Sequence, residues 1–559
     1  MIRSSQPIDK PTASNDTLDQ TAPRLPVSSV SEDGDFDSND SASSQCSCKH
    51  TVDQAQLNKP NNPRSPLLSH DSVESKLTRP LPTHLPDDVA PPPFRTIEEK
   101  NTSAKANVTT RGVPPASLLT AKTSLRQRFQ RLCLHWFSAY RILIGLTFLI
   151  NTIIVIILTR DNLSSPHFSL SGSLIATAAH IFAAVLVRQE DLINASFTIV
   201  AKTPCDLPLR LRKIIADLHH YGGFHIGCSM SALLWYFVFV FLNTKLFIDR
   251  AQEDKATVWI WIDISTSYAF LLAIFLVCVT AHPRFRVNFH NTFEYTHRFG
   301  GWAALLVLWI NAGVSSHNKA STRMYANPAI WLLAATTFLI VLPWTRIRRV
   351  PVTTSAVSAR EVKLSFPYKD MPYTATARFS LSPLMEWHAF ATIPAGDESA
   401  YILISQAGDW TTSVIQSPPS HIYLRRPATQ NFLSLTPLFN SLLLVATGAG
   451  IGPLLSLLQS PALAQMKRDG KVVRVMWCVY APESAHWEFV QRIIRNVDSA
   501  PIIFDSRHGR PDMVFETQYW MERHDVEVVL VVSNPHVTRD VVEGVKSTGR
   551  AALGAVFDS

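Results

Sequence analysis

Six long apolar runs restrict what this chain can fold into more than any other feature: about 139–159, 170–187, 224–243, 257–280, 298–314 and 328–344. Each approaches the roughly 20 residues that a helix needs to cross a bilayer core. Buried helices of a soluble bundle would show a polar face at helical period, and a run such as LLWYFVFVFL shows almost none. The expectation is a multi-pass α-helical membrane domain of six spans over residues 125–349, with the lipid bilayer as its first partner. A charged fraction of 17% fits that reading, since soluble domains carry roughly 25%.

Lys and Arg in the short connections set the expected orientation. Arg126, Arg128 and Arg131 precede the first run; Arg188, Lys202, Arg210, Arg212 and Lys213 follow the second; Arg284 and Arg286 follow the fourth; Arg346, Arg348 and Arg349 follow the sixth. The remaining connections are neutral or mixed. By the positive-inside rule both termini are cytosolic, and the expected location is the plasma membrane. The net charge of +8 then has a topological origin, and no nucleic-acid partner is expected.

Residues 1–120 hold 15 of the 36 prolines, only Phe36 and Phe94 as aromatics, and none of the 13 tryptophans. Such a segment cannot bury enough apolar surface to offset its ordering entropy, so a disordered cytosolic tail is expected. Cys46 and Cys48 lie there beside His50 without a second ligand pair at zinc spacing.

Beyond Arg349 the texture changes to short alternating segments broken by Pro and Gly (KLSFPY, TATARFSLS, AYILISQ, SHIYLRRP), which read as a small antiparallel barrel or sandwich. From Ser441 it changes again. SLLLVA is a buried strand, TGAGIGP a turn and LLSLLQ the opening of a helix, with further strands at VVRVMWCVY and VEVVLVV, a pattern that implies a parallel α/β sheet. Thr447-Gly448-Ala449-Gly450-Ile451-Gly452-Pro453 falls where a dinucleotide pyrophosphate would be held, because glycines admit close backbone approach and the helix start offers unpaired N–H groups. Gly-rich strand-to-helix turns also occur for steric reasons alone.

In this order, RFSLSPLMEWHAFATIP, GDWTTSVI, LLLVATGAGIGPLLSLL, FDSRHGRPD, VVSNP and AVFDS, behind six apolar runs, resemble the ferric reductase and NADPH oxidase superfamily, and within it the TmpA-type fungal membrane flavoproteins. The resemblance covers roughly 125–559 and implies a cytosolic ferredoxin reductase-like module, with an antiparallel β-barrel FAD domain over 355–435 and an α/β NADP-binding domain over 438–559. It places Trp387, His388 and Phe390 on the strand that backs the flavin, with Ala389 where relatives have Pro; the three contact the flavin or merely fill the barrel. It makes Gly408, Trp410 and Thr411 the turn that follows. Arg425 and Arg426 stand where a Gly-Pro turn usually lies near the FAD diphosphate; they can hold phosphate or serve as exposed strand residues. Thr447, Gly448, Gly450, Gly452 and Pro453 would hold the NADPH pyrophosphate. Arg507 and Arg510 are candidates for the adenosine side or 2′-phosphate, or solvated loop residues. Ser533, Asn534 and Pro535 stand where relatives have Cys-Gly-Pro beside the nicotinamide. Phe557 resembles the terminal aromatic that shields the flavin, or is a surface tail residue.

Relatives of this kind carry two haems between two spans, held by His pairs 13 or 14 residues apart. Counting on from His220 reaches Leu233 and Leu234, and from His297 reaches Ile310 and Asn311, so the outer partners are missing. One inner haem between His220 and His297 is allowed, but haem b is not expected. The expected function is a membrane-bound flavin-dependent oxidoreductase that moves hydride from NADPH to FAD on the cytosolic side and on to an unidentified small-molecule electron acceptor. By resemblance its setting is developmental (sporulation) signalling or secondary metabolism. The alternative is a catalytically degenerate membrane sensor or scaffold that keeps the flavoprotein fold.

Overall fold

The computed structural model describes residues 129, 132–134, 136–164, 169–318 and 324–555. The tail, Cys46, Cys48, Arg126, Arg128, Arg131 and Phe557 lie outside the described residues. All six apolar runs are helical: α1 (Ala139–Ser164), α2 (Leu170–Leu186), α5 (Gly222–Gln252), α6 (Val258–Thr280), α7 (His290–Asn318) and α8 (Pro328–Thr345). Five are long and apolar enough to cross a bilayer. The second is shorter than expected, because α2 stops at Leu186 and the chain bends by 67° into α3 (Glu190–Ala201); the count reaches six only if this bent pair is one span. Tyr236 and Phe239 of α5, Phe270 of α6, Leu308 of α7 and Leu333 of α8 form a shared interior.

The basic connection after α2 is a wedge of structure. In α3, Ile193 and Phe197 are buried, and α4 (Leu209–Ala216) buries Arg212 and Ala216. Ile193, Phe197 and Ala216 belong to the same apolar core as Leu442 and Leu444 of the C-terminal sheet. Arg212 fixes the wedge: it donates to the carbonyls of Leu207 and Leu438 at 2.7 and 2.8 Å and to both carboxylate oxygens of Glu527 at 2.9 and 3.2 Å.

Seven antiparallel strands follow: β1 (Ile347–Pro351), β2 (Thr353–Ala356), β3 (Glu361–Pro367), β4 (Ala375–Ser380), β5 (His388–Pro394), β6 (Ser399–Ser405) and β7 (His421–Gln430). Their order is β1-β7-β4-β5-β6-β3-β2. β1 and β2 are separated by Val352 alone yet stand at opposite ends of that order, so the sheet must curl until its edges meet. The sheet begins at Ile347, ahead of the expected boundary at 355. Its strands alternate buried and half-buried residues, and Leu364, Phe379, Ile402 and Leu424 fill the interior. Between β6 and β7 lies α9 (Asp409–Gln416).

The C-terminal part is a parallel sheet of β8 (Ser441–Thr447), β9 (Val472–Val479), β10 (Ile502–Asp505), β11 (Val528–Val532) and β12 (Ala551–Gly554) in the order β10-β9-β8-β11-β12. β8 and β11 are continuous buried apolar runs, as a sheet covered on both faces requires. Helix α10 (Ile451–Leu458) leaves β8 and packs on β5, and Ser456 of α10 accepts a buried hydrogen bond from the Thr374 N–H at 2.9 Å.

Candidate functional site

The first three strands of the parallel sheet build outward from β8 to β10, and the last two build the other way from β8 to β12. The reversal opens a crevice beyond the carboxyl ends of β8 and β11, the place where open α/β sheets bind ligands. Thr447 ends β8, Ser533 follows β11, and their hydroxyls share a short hydrogen bond across that crevice. Gly448 has φ +51°, a left-handed conformation that costs other residues energy. A Cβ on Gly450 would lie 2.3 Å from the Val532 carbonyl oxygen, so only glycine lets the turn lie against β11. The indole of Trp477 donates to the Gly448 carbonyl at 3.0 Å, and Pro453 stands in the first turn of α10.

Asn534 and Pro535 start the helix α14 (Pro535–Lys546), Asn534 by accepting from the Val537 N–H at 3.0 Å and Pro535 by taking its first position. At the carboxyl end of β10, Arg507 is engaged by Asp505 at 2.5 Å and Glu483 at 2.5 Å, while Arg510 is exposed. Hydrogen bonding from Arg507 holds the Asp505 carboxyl down at about 2.

The second part lies between the curled sheet and the ends of the long apolar helices. Two adjoining cavities share Arg188 and Arg378; one is lined also by Thr376, Ala389 and Gln430, the other by Trp387, Arg425 and His297. The larger has a volume of about 400 Å³. Because alternate residues of a strand face opposite sides, Trp387 and Ala389 look into this cleft and their neighbours look away. His388 lies against the Trp410 ring with centroids 4.4 Å apart, and Phe390 stacks on the same indole at 5.6 Å. His388 and Phe390 thus lie on the opposite side of the strand from this cleft, against Trp410, where His388 Nε2 and Trp410 Nε1 are buried without a hydrogen-bond partner. Thr411 caps the start of α9, accepting from the N–H groups of Ala407 and Gly408 at 2.9 and 3.0 Å.

The arginine pair is divided in the same way. Arg425 faces the cleft, directly opposite Arg378 of β4, whereas Arg426 turns away and lies 4.4 Å over the Tyr368 ring. Arg425 and Arg378 both reach one oxygen of Glu190, at 2.5 and 3.4 Å. Glu190 is 2% exposed. Burial and the guanidiniums of Arg425 and Arg188 draw Arg378 down to about 10, which leaves it charged at neutral pH. Two guanidiniums thus share one carboxylate and Arg188 lines the same cleft, an excess of positive charge suited to a diphosphate. Buried Arg425 Nε, Gln430 Oε1 and Glu190 Oε2 lack hydrogen-bond partners around the same cleft, so the residues present fit a polar ligand such as FAD. Sequence reading missed Arg188, Glu190, Arg378, Thr376 and Gln430. The signal for Glu190 was an acid opening a helix at the end of an apolar run.

The histidines pair differently from expectation. His297 sits in a π-helical turn, Thr296–Gly300, and faces His225 with ring centroids 6.4 Å apart. His225 Nδ1 donates to the Ala184 carbonyl at 2.8 Å, which leaves Nε2 as a free donor atom for a metal. His220, the expected partner of His297, packs instead on His219 at 3.8 Å and lies 3.9 Å from the Asp217 carboxylate. At the outer position Asn311 is committed to Asp263, Thr266 and Ser267.

Residues 432–559 match the family model described as the C-terminal domain of adenylate-forming reductase 03009. The chain is 33% identical over 432 residues to adenylate-forming reductase 03009 of Coprinopsis cinerea, covering 76% of this chain and 40% of that protein. It is 24% identical over 273 residues to ferric reduction oxidase 8, mitochondrial, of Arabidopsis thaliana, covering 44% of this chain and 36% of the relative. Among solved structures, a flavohemoglobin of Malassezia yamatoensis with bound FAD and heme aligns over 70% of this chain and 99% of its own at 11% identity, with a TM-score of 0.33. The chain spans about 40% of the length of the Coprinopsis relative it matches.

Proposed function

We propose that this chain is a membrane-bound, flavin-dependent oxidoreductase that accepts hydride from NADPH on the cytosolic side and passes electrons to a small-molecule acceptor. The observation that carries the reading is the half-buried pair Arg378 and Arg425 on the buried carboxylate of Glu190, with Arg188 lining the same cleft, next to partnerless buried polar atoms. That cluster would hold the FAD diphosphate, with Trp387 and Ala389 on the ring side of the cleft. The glycine turn from Thr447 to Pro453 would hold the NADPH pyrophosphate, and Ser533 would stand beside the nicotinamide. Bound flavin supplies the exchange between hydride and electrons. The chain's own residues neutralise phosphate charge, orient the two cofactors and join their sites through α10 and β5. The reductase and oxidase names of the Coprinopsis and Arabidopsis relatives support an oxidoreductase. The TmpA-like motifs extend the proposal to developmental signalling or secondary metabolism at the plasma membrane.

A second reading, a sensor that has lost turnover, is favoured by two particulars. The Ser533 hydroxyl is occupied by Thr447, and Arg507 is already paired with two carboxylates. The absorption spectrum of the purified full chain discriminates. A yellow preparation bleached anaerobically by NADPH is expected; no flavin, or flavin that NADPH leaves oxidised, refutes the enzyme. The same trace reads haem, and a Soret band lost in His225→Ala and His297→Ala but kept in His220→Ala would identify the iron ligands.

A further inference from the structure

A cavity of about 540 Å³ lies away from both cofactor sites, where the start of α1, the helix α4 and the helix α14 converge. It is lined by five cationic side chains, Arg141, Arg210, Lys213, Arg539 and Lys546, against two carboxylates, Asp217 and Glu543. Two of the cations are held in place: Lys213 donates to the Gly549 carbonyl at 2.8 Å, and Lys546 lies 3.7 Å from Asp217. Burial and the neighbouring Lys546 pull Lys213 below the ordinary lysine range, the response of an ammonium that lacks enough negative charge around it.

Part of the remaining lining is apolar and faces outward. Phe137 and Ile214 both line the cavity, and they are 71% and 69% exposed. Beside them Trp136 is 64% and Leu211 43% exposed. In α4 the apolar Leu211 and Ile214 alternate with Arg210 and Lys213, the arrangement of a helix that lies in a membrane interface. Leu134, Phe137 and Ala139 bring the mouth of the cavity to the head of the first apolar helix. Asp217, His219 and His220 also bring ligand atoms within 4.8 Å of one another here. With Asp540 counted, which pairs with Arg539 at 3.4 Å, five cations stand against three carboxylates, an excess that favours an anion over a cation.

We infer that this cavity binds the phosphate headgroup of an anionic phospholipid, whose acyl chains cover Phe137, Ile214 and Leu211. The inference rests on the membrane placement proposed above. The lipid would tie the head of the first span to α14 and to β12, the edge strand of the nucleotide-type sheet. It would thus make the seating of that sheet depend on the composition of the cytosolic leaflet.

The test is native mass spectrometry of the full chain released from mixed micelles of dioleoylphosphatidic acid and dioleoylphosphatidylcholine. One phosphatidic acid per chain is expected to be retained in preference to phosphatidylcholine. Lys213→Gln with Lys546→Gln should lower that retention by about fivefold per cation removed, and Lys213→Arg with Lys546→Arg should keep it. Arg210→Gln with Arg539→Gln provides a second pair, should the first fail to fold. Equal retention of both lipids, retention unchanged in both Gln pairs, or displacement of the lipid by millimolar inorganic phosphate would overturn the inference. Alkaline carbonate extraction reads the membrane placement separately. A chain released to the supernatant refutes that placement, whereas a chain that stays in the pellet without preferring phosphatidic acid refutes the lipid site alone.

Discussion

The glycine turn permits a sharp test, because its glycines are required for three different reasons. A Cβ on Gly450 would stand 2.3 Å from the Val532 carbonyl oxygen, about 1 Å inside ordinary van der Waals contact. Gly450→Ala must therefore push the turn off β11 and open the Thr447–Ser533 contact, an overpacking cost of about 1–3 kcal/mol. Gly448→Ala meets nothing within 4 Å, but its φ of +51° makes the cost about 1–2 kcal/mol of backbone strain. Gly452→Ala would touch only Leu403, at 3.9 Å, and its backbone is ordinary. It should leave the melting midpoint unchanged while crowding the side from which a pyrophosphate approaches. The assay is paired: intrinsic tryptophan melting of the full chain in detergent, and NADP+ affinity by calorimetry. Gly450→Ala should lose both stability and affinity, and Gly452→Ala should lose at least about tenfold in affinity alone, equivalent to about 1.4 kcal/mol. Wild-type affinity in Gly452→Ala would refute the turn as a phosphate cradle. Wild-type melting in Gly450→Ala would refute the close approach to β11.

Arg425→Gln should lower FAD retention by about tenfold or more, as expected for losing a charged hydrogen bond of about 1.5–3 kcal/mol. His388→Gln should change it by less than about twofold, since that ring faces Trp410; a reversed ranking, read by flavin content after gel filtration, would contradict the strand orientation. Breaking the Arg212–Glu527 pair from either side should cost about 3–5 kcal/mol, but the double replacement Arg212→Met with Glu527→Met should recover much of it; additive losses in denaturant titrations would show the two charges to be independent. His219 is held neutral, its pKa lowered by burial to about 4 from 6.5. Its contribution is complete above pH 6.5 and is lost as pH falls toward 4, on the order of 3 kcal/mol, so the acid limb of a stability profile should flatten in His219→Gln.

Periodicity carried the long apolar helices, because an apolar run without a polar face leaves few alternatives, and β8 and β11 were legible for the same reason. β10 and β12 were not, since four residues each are too short for a pattern, and FDSRHGRPD reads as a loop motif before it reads as a strand end. At the cleft, motif position grouped Trp387 with His388 and Phe390, and Arg425 with Arg426. Motif position names neighbours together, whereas the pleat sends them to opposite faces. Glu190 and Arg378 were missed because their meaning is a contact across about 190 residues, which no local pattern holds. His225 was displaced by His220 for a related reason: a count along the helix gives spacing, but a bend through a 3-10 turn at Asp217–His220 decides which ring reaches His297.

The basic residues after the second apolar run show how one sequence signal divides among unlike physical roles. As a group, Arg188, Arg210, Arg212 and Lys213 gave the sequence its expected cytosolic side by their number. In the structure Arg212 is 4% exposed and joined to Glu527, so it is no longer available to a lipid surface. Arg188 looks into the cleft beside Arg378. Arg210 and Lys213 remain on the flank of α4, at the mouth of the second cavity. The wedge from Glu190 to Ala216 therefore does in one segment what separate linkers usually do. It terminates a short apolar helix, supplies the counter-charge of the cleft through Glu190, and locks onto the parallel sheet through Arg212.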